Sequence, residues 1–152
     1  MSKADHVIFQ QVFVVHKADQ EINGVTCIEA RSQLHKILMQ LDVDTERYPM
    51  KVGDTFLLSL AYTLYLDGET QTDYNFPEKK ETLADSYEYV RQGKLNNVTM
   101  EKESSTMEIN FSFGDLFMLL KGDPSRLSHL EHEKKLFLLI SMLPYKKPIW
   151  TV

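Results

Sequence analysis

Thr55-Phe56-Leu57-Leu58-Ser59-Leu60-Ala61-Tyr62-Thr63-Leu64-Tyr65-Leu66 is the stretch whose reading decides the fold class. It carries no charge. At strand spacing it splits into two rows: Phe56, Leu58, Leu60, Tyr62 and Leu64 on one side, Leu57, Ser59, Ala61, Thr63 and Tyr65 on the other. An antiparallel strand usually buries one face and wets the other. Here both rows are apolar or weakly polar. Two further stretches behave alike. In Leu136–Leu143, Leu136, Leu138, Ile140 and Met142 oppose Phe137, Leu139, Ser141 and Leu143; Leu116–Leu120 is apolar on both faces. One row lines a core. The second needs cover, and a large exposed apolar patch marks a partner's footprint. The expectation is a sheet whose outer row is shielded by a larger neighbour.

Working outward, Val7–Val15 reads as a strand of β-branched and aromatic residues, and Asn23-Gly24 as a tight turn into a second strand from Val25 to about Arg31. The next segment is two-valued. Leu34, Ile37, Leu38 and Leu41 have helical spacing behind Ser32, whereas Ile37, Met39, Leu41 and Val43 alternate as a strand. Tyr48-Pro49 and Gly53-Asp54 frame a turn before the long apolar stretch. Asp67-Gly68 breaks that stretch. Glu69–Ser86 then holds five acidic residues (Glu69, Asp73, Glu78, Glu81, Asp85) against Lys79 and Lys80, a net charge of −3, and reads as a mobile, solvated acidic loop over about 67–86. Tyr87–Val98 reads as a strand, with Gly93 marking a bulge. Strands over Glu108–Phe113, Leu116–Lys121 and up to Leu143 follow, with one helical turn after Pro124. Seven or eight short strands with little helix predict a closed or nearly closed antiparallel barrel.

Composition bounds the rest. A chain of 152 residues, 43% apolar and 26% charged, suits one globular domain, here residues 1–152 with a C-terminal tail at 144–152. Its net charge of −5 opposes tight unaided binding to nucleic acid. A single cysteine, Cys27, excludes an intrachain disulfide and a Cys-rich metal site. The N-terminus shows no apolar signal region, and the longest apolar run falls short of the ~20 residues a membrane helix needs.

Candidate chemistry is sparse. His129 and His132 sit three apart with no third strong ligand nearby, which favours an exposed polar turn over a metal site. Asp42 and Asp44 share one strand face and suit acid–base or Mg²⁺ chemistry only with a pocket, so a solvated sheet face is the simpler reading. No nucleophile elbow, phosphate-cradling loop or dinucleotide fingerprint is present. The aromatics Tyr62, Tyr65, Tyr87, Tyr89, Phe111, Phe113 and Phe117 interleave the predicted strands. They suit core or protein contact. Stacking of single-stranded bases would also need a basic groove beside them.

Three runs, in order, carry a resemblance. The first is Tyr48-Pro49, Gly53-Asp54, Phe56 and Thr63-Leu64-Tyr65 with Asp67-Gly68. The second is Ala84-Asp85-Ser86-Tyr87-Glu88-Tyr89-Val90 with Gly93-Lys94. The third is Phe113-Gly114, Leu116, Met118, Leu120 and Gly122-Asp123, closing on Leu138-Leu139. Together they are similar to the eighth subunit shared by eukaryotic nuclear RNA polymerases I, II and III, over roughly residues 7–143. The resemblance implies an all-β, antiparallel, eight-stranded OB-like barrel with a long acidic loop, and a strand at the two-valued Leu34–Val43 segment. It implies no enzymatic activity of the chain itself, no cofactor, and a structural role docked on the largest polymerase subunit and its neighbours. Nuclear location, weak or indirect contact with nucleic acid and no membrane follow from the same resemblance. Candidate positions, mixing supporting core and partner contact, are Phe113, Gly114, Leu116, Met118, Leu120, Gly122 and Asp123, with Tyr87 and Tyr89. Asp115 stands where the family usually repeats glycine, and Leu83 where it commonly has arginine. The competing reading is a free-standing OB-type module for single-stranded nucleic acid.

Overall fold

The computed structural model describes residues 6–65, 82–132 and 134–144, the side chain of His132 excepted. Among the described residues there are eight strands: β1 (Val7–Ala18), β2 (Val25–Ser32), β3 (Leu38–Asp44), β4 (Thr55–Ala61), β5 (Tyr89–Glu101), β6 (Thr106–Phe113), β7 (Leu116–Gly122) and β8 (Lys135–Leu143). All neighbours are antiparallel, and the sheet closes in the order β1-β2-β3-β7-β6-β5-β8-β4. Closure leaves no unpaired sheet edge for another chain to extend. A short helix, α1 (Pro124–Leu127), starts on Asp123, whose side chain accepts from the Ser125 backbone N–H.

Alternation explains the interior. Ile28 and Ala30 from β2, Met39, Leu41 and Val43 from β3, Phe56, Leu58 and Leu60 from β4, and Leu136, Leu138 and Ile140 from β8 are buried together. Phe13 stacks on Phe56 with ring centres 5.9 Å apart. The Asn23-Gly24 turn is as expected, both residues at positive φ and closed by hydrogen bonds between Ile22 and Val25.

At the two-valued segment the strand wins. Ile37, Met39, Leu41 and Val43 are buried, whereas Leu34, which a helix would have buried, is 67% exposed. His35 and Lys36 take positive φ, and Ser32 Oγ accepts from Ile37 N–H, so the chain turns sharply where a helix would have begun. Cross-strand pairing with β2 and β7 outweighs a local helical spacing of four residues.

Two expectations change. Gly93 is not a bulge: its pairing with β8 runs unbroken from Tyr89 to Lys94, and the irregularity lies between Leu95 and Asn97. The glycine is there because the chain passes close to β6. A Cβ would stand 2.2 Å from the Ser112 carbonyl and 2.3 Å from the Phe113 ring. The second change concerns the apolar outer row. β4 leaves the ladder after Ala61, and the chain from Thr82 to Tyr87 folds back over the outer face of β4 and β8. Leu83 packs there with Ala61, Leu64, Phe137 and Leu139, flanked by Val7, Tyr87 and Val90. The Leu83 N–H donates to the Leu64 carbonyl at 2.8 Å, and Thr82 with Asp85 forms a reciprocal cap on the Leu83–Ser86 turn. Much of the second row is therefore covered by this chain itself, and its greasiness does not by itself call for a partner. Each leucine so buried contributes on the order of 1.5–3 kcal/mol.

Candidate functional site

The sequence-derived candidates separate by depth. Tyr89, Phe113, Leu116, Met118, Leu120 and Gly122 are buried; Tyr87 is half-buried; Gly114 and Asp123 are exposed. Gly114 sits at φ 70° in the β6–β7 turn, which explains a glycine there. Asp115 follows with φ outside that region, so aspartate is tolerated where the family repeats glycine. Of the acidic-loop residues, Glu69, Asp73, Glu78 and Glu81 lie outside the described residues. Asp85 is described, and it accepts from Thr82 N–H at 3.0 Å. Leu83 is 3% exposed, which accounts for an apolar residue in place of arginine.

The polar groups are employed in holding the fold. Tyr87 shares a 2.8 Å hydrogen bond with Ser59, which also accepts from Gln10 at 3.0 Å, pinning the covering segment to the barrel wall. Tyr48 donates to Glu88 Oε1 at 2.5 Å, and the same oxygen accepts from Met142 N–H at 2.9 Å. Burial, then the Glu88 carboxylate, push the Tyr48 phenol well above its ordinary range. Tyr48 stacks on Tyr89, and the Arg91 guanidinium lies 5.5 Å from the Tyr89 ring centre. Arg91 also pairs with Asp44 at 3.1 Å.

Asp42 and Asp44, the carboxylate pair singled out in the sequence, do separate structural jobs. Asp44 is held by Arg91, while Asp42 accepts from Phe117 N–H at 3.0 Å. His129 Nε2 lies 2.6 Å from the Ile8 carbonyl oxygen. Among the described residues no three His, Cys, Asp or Glu side chains gather as a metal site. The Asp123 carboxyl is held below the usual range by the Ser125 N–H it caps. A cleft of about 500 Å³ between the Tyr48-Pro49 turn and the end of β8 is lined mainly by apolar groups such as Met50, Met142 and Leu143.

Of the seven aromatics considered for base stacking, Tyr62 and Phe117 are exposed, at 39% and 57%. Phe117 is an exposed aromatic outside the candidate set. Its signal was present: if Leu116, Met118 and Leu120 point inward, then Phe117 and Leu119 point out.

The decisive comparison concerns the barrel as a whole. The family model described as RNA polymerase Rpb8 matches residues 10–142, from within β1 to within β8. The chain belongs to the Rpb8 family. Over 142 residues it is 46% identical to the Arabidopsis thaliana protein named DNA-directed RNA polymerases II, IV and V subunit 8B, covering 90% of this chain and 97% of that one. It is 32% identical over 137 residues to a Dictyostelium discoideum subunit of RNA polymerases I, II and III, covering 88% and 96%. The Saccharomyces cerevisiae subunit of RNA polymerases I, II and III is 27% identical over 143 residues, covering 88% and 97%. This Rpb8 chain thus spans nearly the full length of these relatives, which are named as polymerase subunits.

Proposed function

We propose that this Rpb8 chain is a non-catalytic structural subunit of nuclear RNA polymerases I, II and III, docked on the largest subunit. The observation that carries the reading is the family match across the whole barrel, together with relatives named as polymerase subunits. Its chemistry supports it. Of the residues weighed for catalysis or metal binding, Asp42 and His129 make backbone contacts and Asp44 an ion pair. Contact is carried by the outward side chains near Gly114 and Asp123, with Phe117 as the apolar anchor and Tyr87 at the margin. Phe113, Leu116, Met118, Leu120, Gly122 and Tyr89 hold these from within.

The test is affinity purification of the tagged chain from native nuclear extract, with identification of the bound chains. The largest subunits of all three polymerases are expected. Phe117→Thr lowers their recovery while the isolated chain keeps its unfolding midpoint, because the ring is 57% exposed and threonine suits a strand without placing a second carboxylate beside Asp42. Phe111→Asp, at a fully buried position, unfolds the barrel instead. Recovery of no polymerase subunit by the wild-type chain overturns the proposal.

A further inference from the structure

Strand register lays a row of side chains across the outer wall of the barrel. Lys135 of β8 pairs with Lys94 of β5, Lys94 with Ser112 of β6, and Ser112 with Phe117 of β7. Residues paired in this way point to the same face. The neighbours Leu136, Phe111, Phe113, Leu116 and Met118 are buried, so this row lies on the outer face, where Ser112 is itself buried and donates to Asn96 Oδ1 at 3.1 Å. Lys94, Lys135 and the adjacent Lys134 are exposed, and Phe117 is 57% exposed. At a strand spacing of ~4.8 Å, Lys94 and Phe117 stand roughly 10 Å apart.

Two features of the row are anomalous for a free surface. Like charges directly opposite on neighbouring strands destabilise a sheet. Yet Lys94 and Lys135 face one another, and neither forms an ion pair among the described residues. They flank an open cleft of about 420 Å³, lined also by Gln92, Gly93, Ser112 and Gly114, with no carboxylate among the described residues of its wall. This happens in a chain of net charge −5. Beyond Phe117 the sign reverses, with Asp42 accepting from the Phe117 N–H and Asp115 exposed beside it. Across the wall, the row therefore runs cationic, apolar, anionic.

We propose that this row seats an acidic segment of a neighbouring polymerase subunit. Its carboxylates lie over Lys94 and Lys135, and an apolar side chain lies against Phe117. The proposal rests on the docked-subunit reading above and names the chemistry of one contact within it. A bound carboxylate relieves the repulsion between the two ammonium groups, so the wall gains on assembly what it lacks alone. A single-stranded nucleic acid fits less well. Successive bases need successive aromatic faces, this row has one, and Asp42 and Asp115 repel a phosphate backbone at the far end.

Polymerase purified through a tag on this chain is treated with a water-soluble carbodiimide, which joins amines to touching carboxylates, and the linked peptides are identified by mass spectrometry. Lys94 or Lys135 is expected to be joined to Asp or Glu of another subunit. Links from these lysines only to this chain's own carboxylates, or none from either, overturn the proposal. Separately, the double variant Lys94→Glu/Lys135→Glu is expected to recover about tenfold less polymerase at physiological salt, with an unfolding midpoint no lower than wild type, whereas Lys94→Arg/Lys135→Arg recovers it normally. Undiminished recovery by the Glu variant sinks this contact while leaving the subunit reading intact. If the wild-type chain itself recovers no polymerase, the subunit reading is what has failed. Binding of an oligothymidylate by the isolated chain that the Glu variant abolishes would assign the row to nucleic acid and overturn the acidic segment.

Discussion

Replacing Gly93 by alanine should damage the barrel more than any other single-methyl addition at a described glycine. The added Cβ meets the Ser112 carbonyl oxygen at 2.2 Å and the Phe113 ring at 2.3 and 2.8 Å. The first contact is with backbone, which cannot swing aside as a side chain can. Relief requires β5 to move off β6 at the Lys94–Ser112 pair. Overpacking of this kind costs about 1–3 kcal/mol. Loosening one or two ladder hydrogen bonds adds about 1 kcal/mol each. A total near 2–5 kcal/mol corresponds to a fall in Tm of roughly 4–20 °C for a domain of this size. Gly114→Ala is the control. Gly114 has positive φ but no atom within 4 Å of its Cβ position, so the change costs only backbone strain of about 1–2 kcal/mol. Thermal and urea unfolding followed by circular dichroism measure both. A Gly93→Ala variant losing less than its Gly114→Ala counterpart would refute the idea that close approach, and not chain flexibility, requires the glycine.

Two other outcomes are expected. Burial, followed by the Asp42 and Asp19 carboxylates, pushes the Cys27 thiol from 9.0 up to about 11. The neutral thiol is the form the fold favours. Its stabilising effect is present below the ordinary thiol value and is lost as pH rises through about 11. At pH near 8 the native chain therefore carries about a hundredfold less thiolate than the unfolded one, and iodoacetamide should label it correspondingly more slowly; equal rates in native and denatured chains would contradict this. Ser141, 6% exposed, has a hydroxyl with no hydrogen-bond partner among the described residues. Ser141→Ala is expected to leave stability unchanged or to raise it by up to about 1 kcal/mol, and a clear loss in urea unfolding would mean that the hydroxyl is bonded after all.

Much of this molecule could be read from the chain. Alternating rows in Thr55–Ala61, Thr106–Phe113 and Leu116–Gly122, the Asn23-Gly24 turn and the Asp123-Pro124 helix start all became what their local chemistry favours. Local signals are enough there because a strand's period and a cap's geometry involve residues close in sequence. The Leu34–Val43 segment was not decidable in this way. Its helical and strand patterns are equally good, and only pairing with β2 and β7 selects one.

The candidate site was less legible. Six of the nine positions singled out near Tyr87 and the β6–β7 hairpin are buried, and the exposed Phe117 was not among them. Residue type marks a position as apolar, but which parity faces the core depends on the partner strands. Bulges such as that between Val7 and Phe9 reverse it within one element.

Sequence alone determined that the chain is an antiparallel barrel of the polymerase-subunit type, because period-two burial and a specific order of short motifs are properties of the linear chain. Tertiary structure alone decided what covers the outer apolar row, why Gly93 must be glycine, and that Lys94, Lys135, Ser112 and Phe117 stand side by side. Each of these depends on residues distant in sequence being brought within a few ångströms by strand register, and register is set by the closed sheet as a whole.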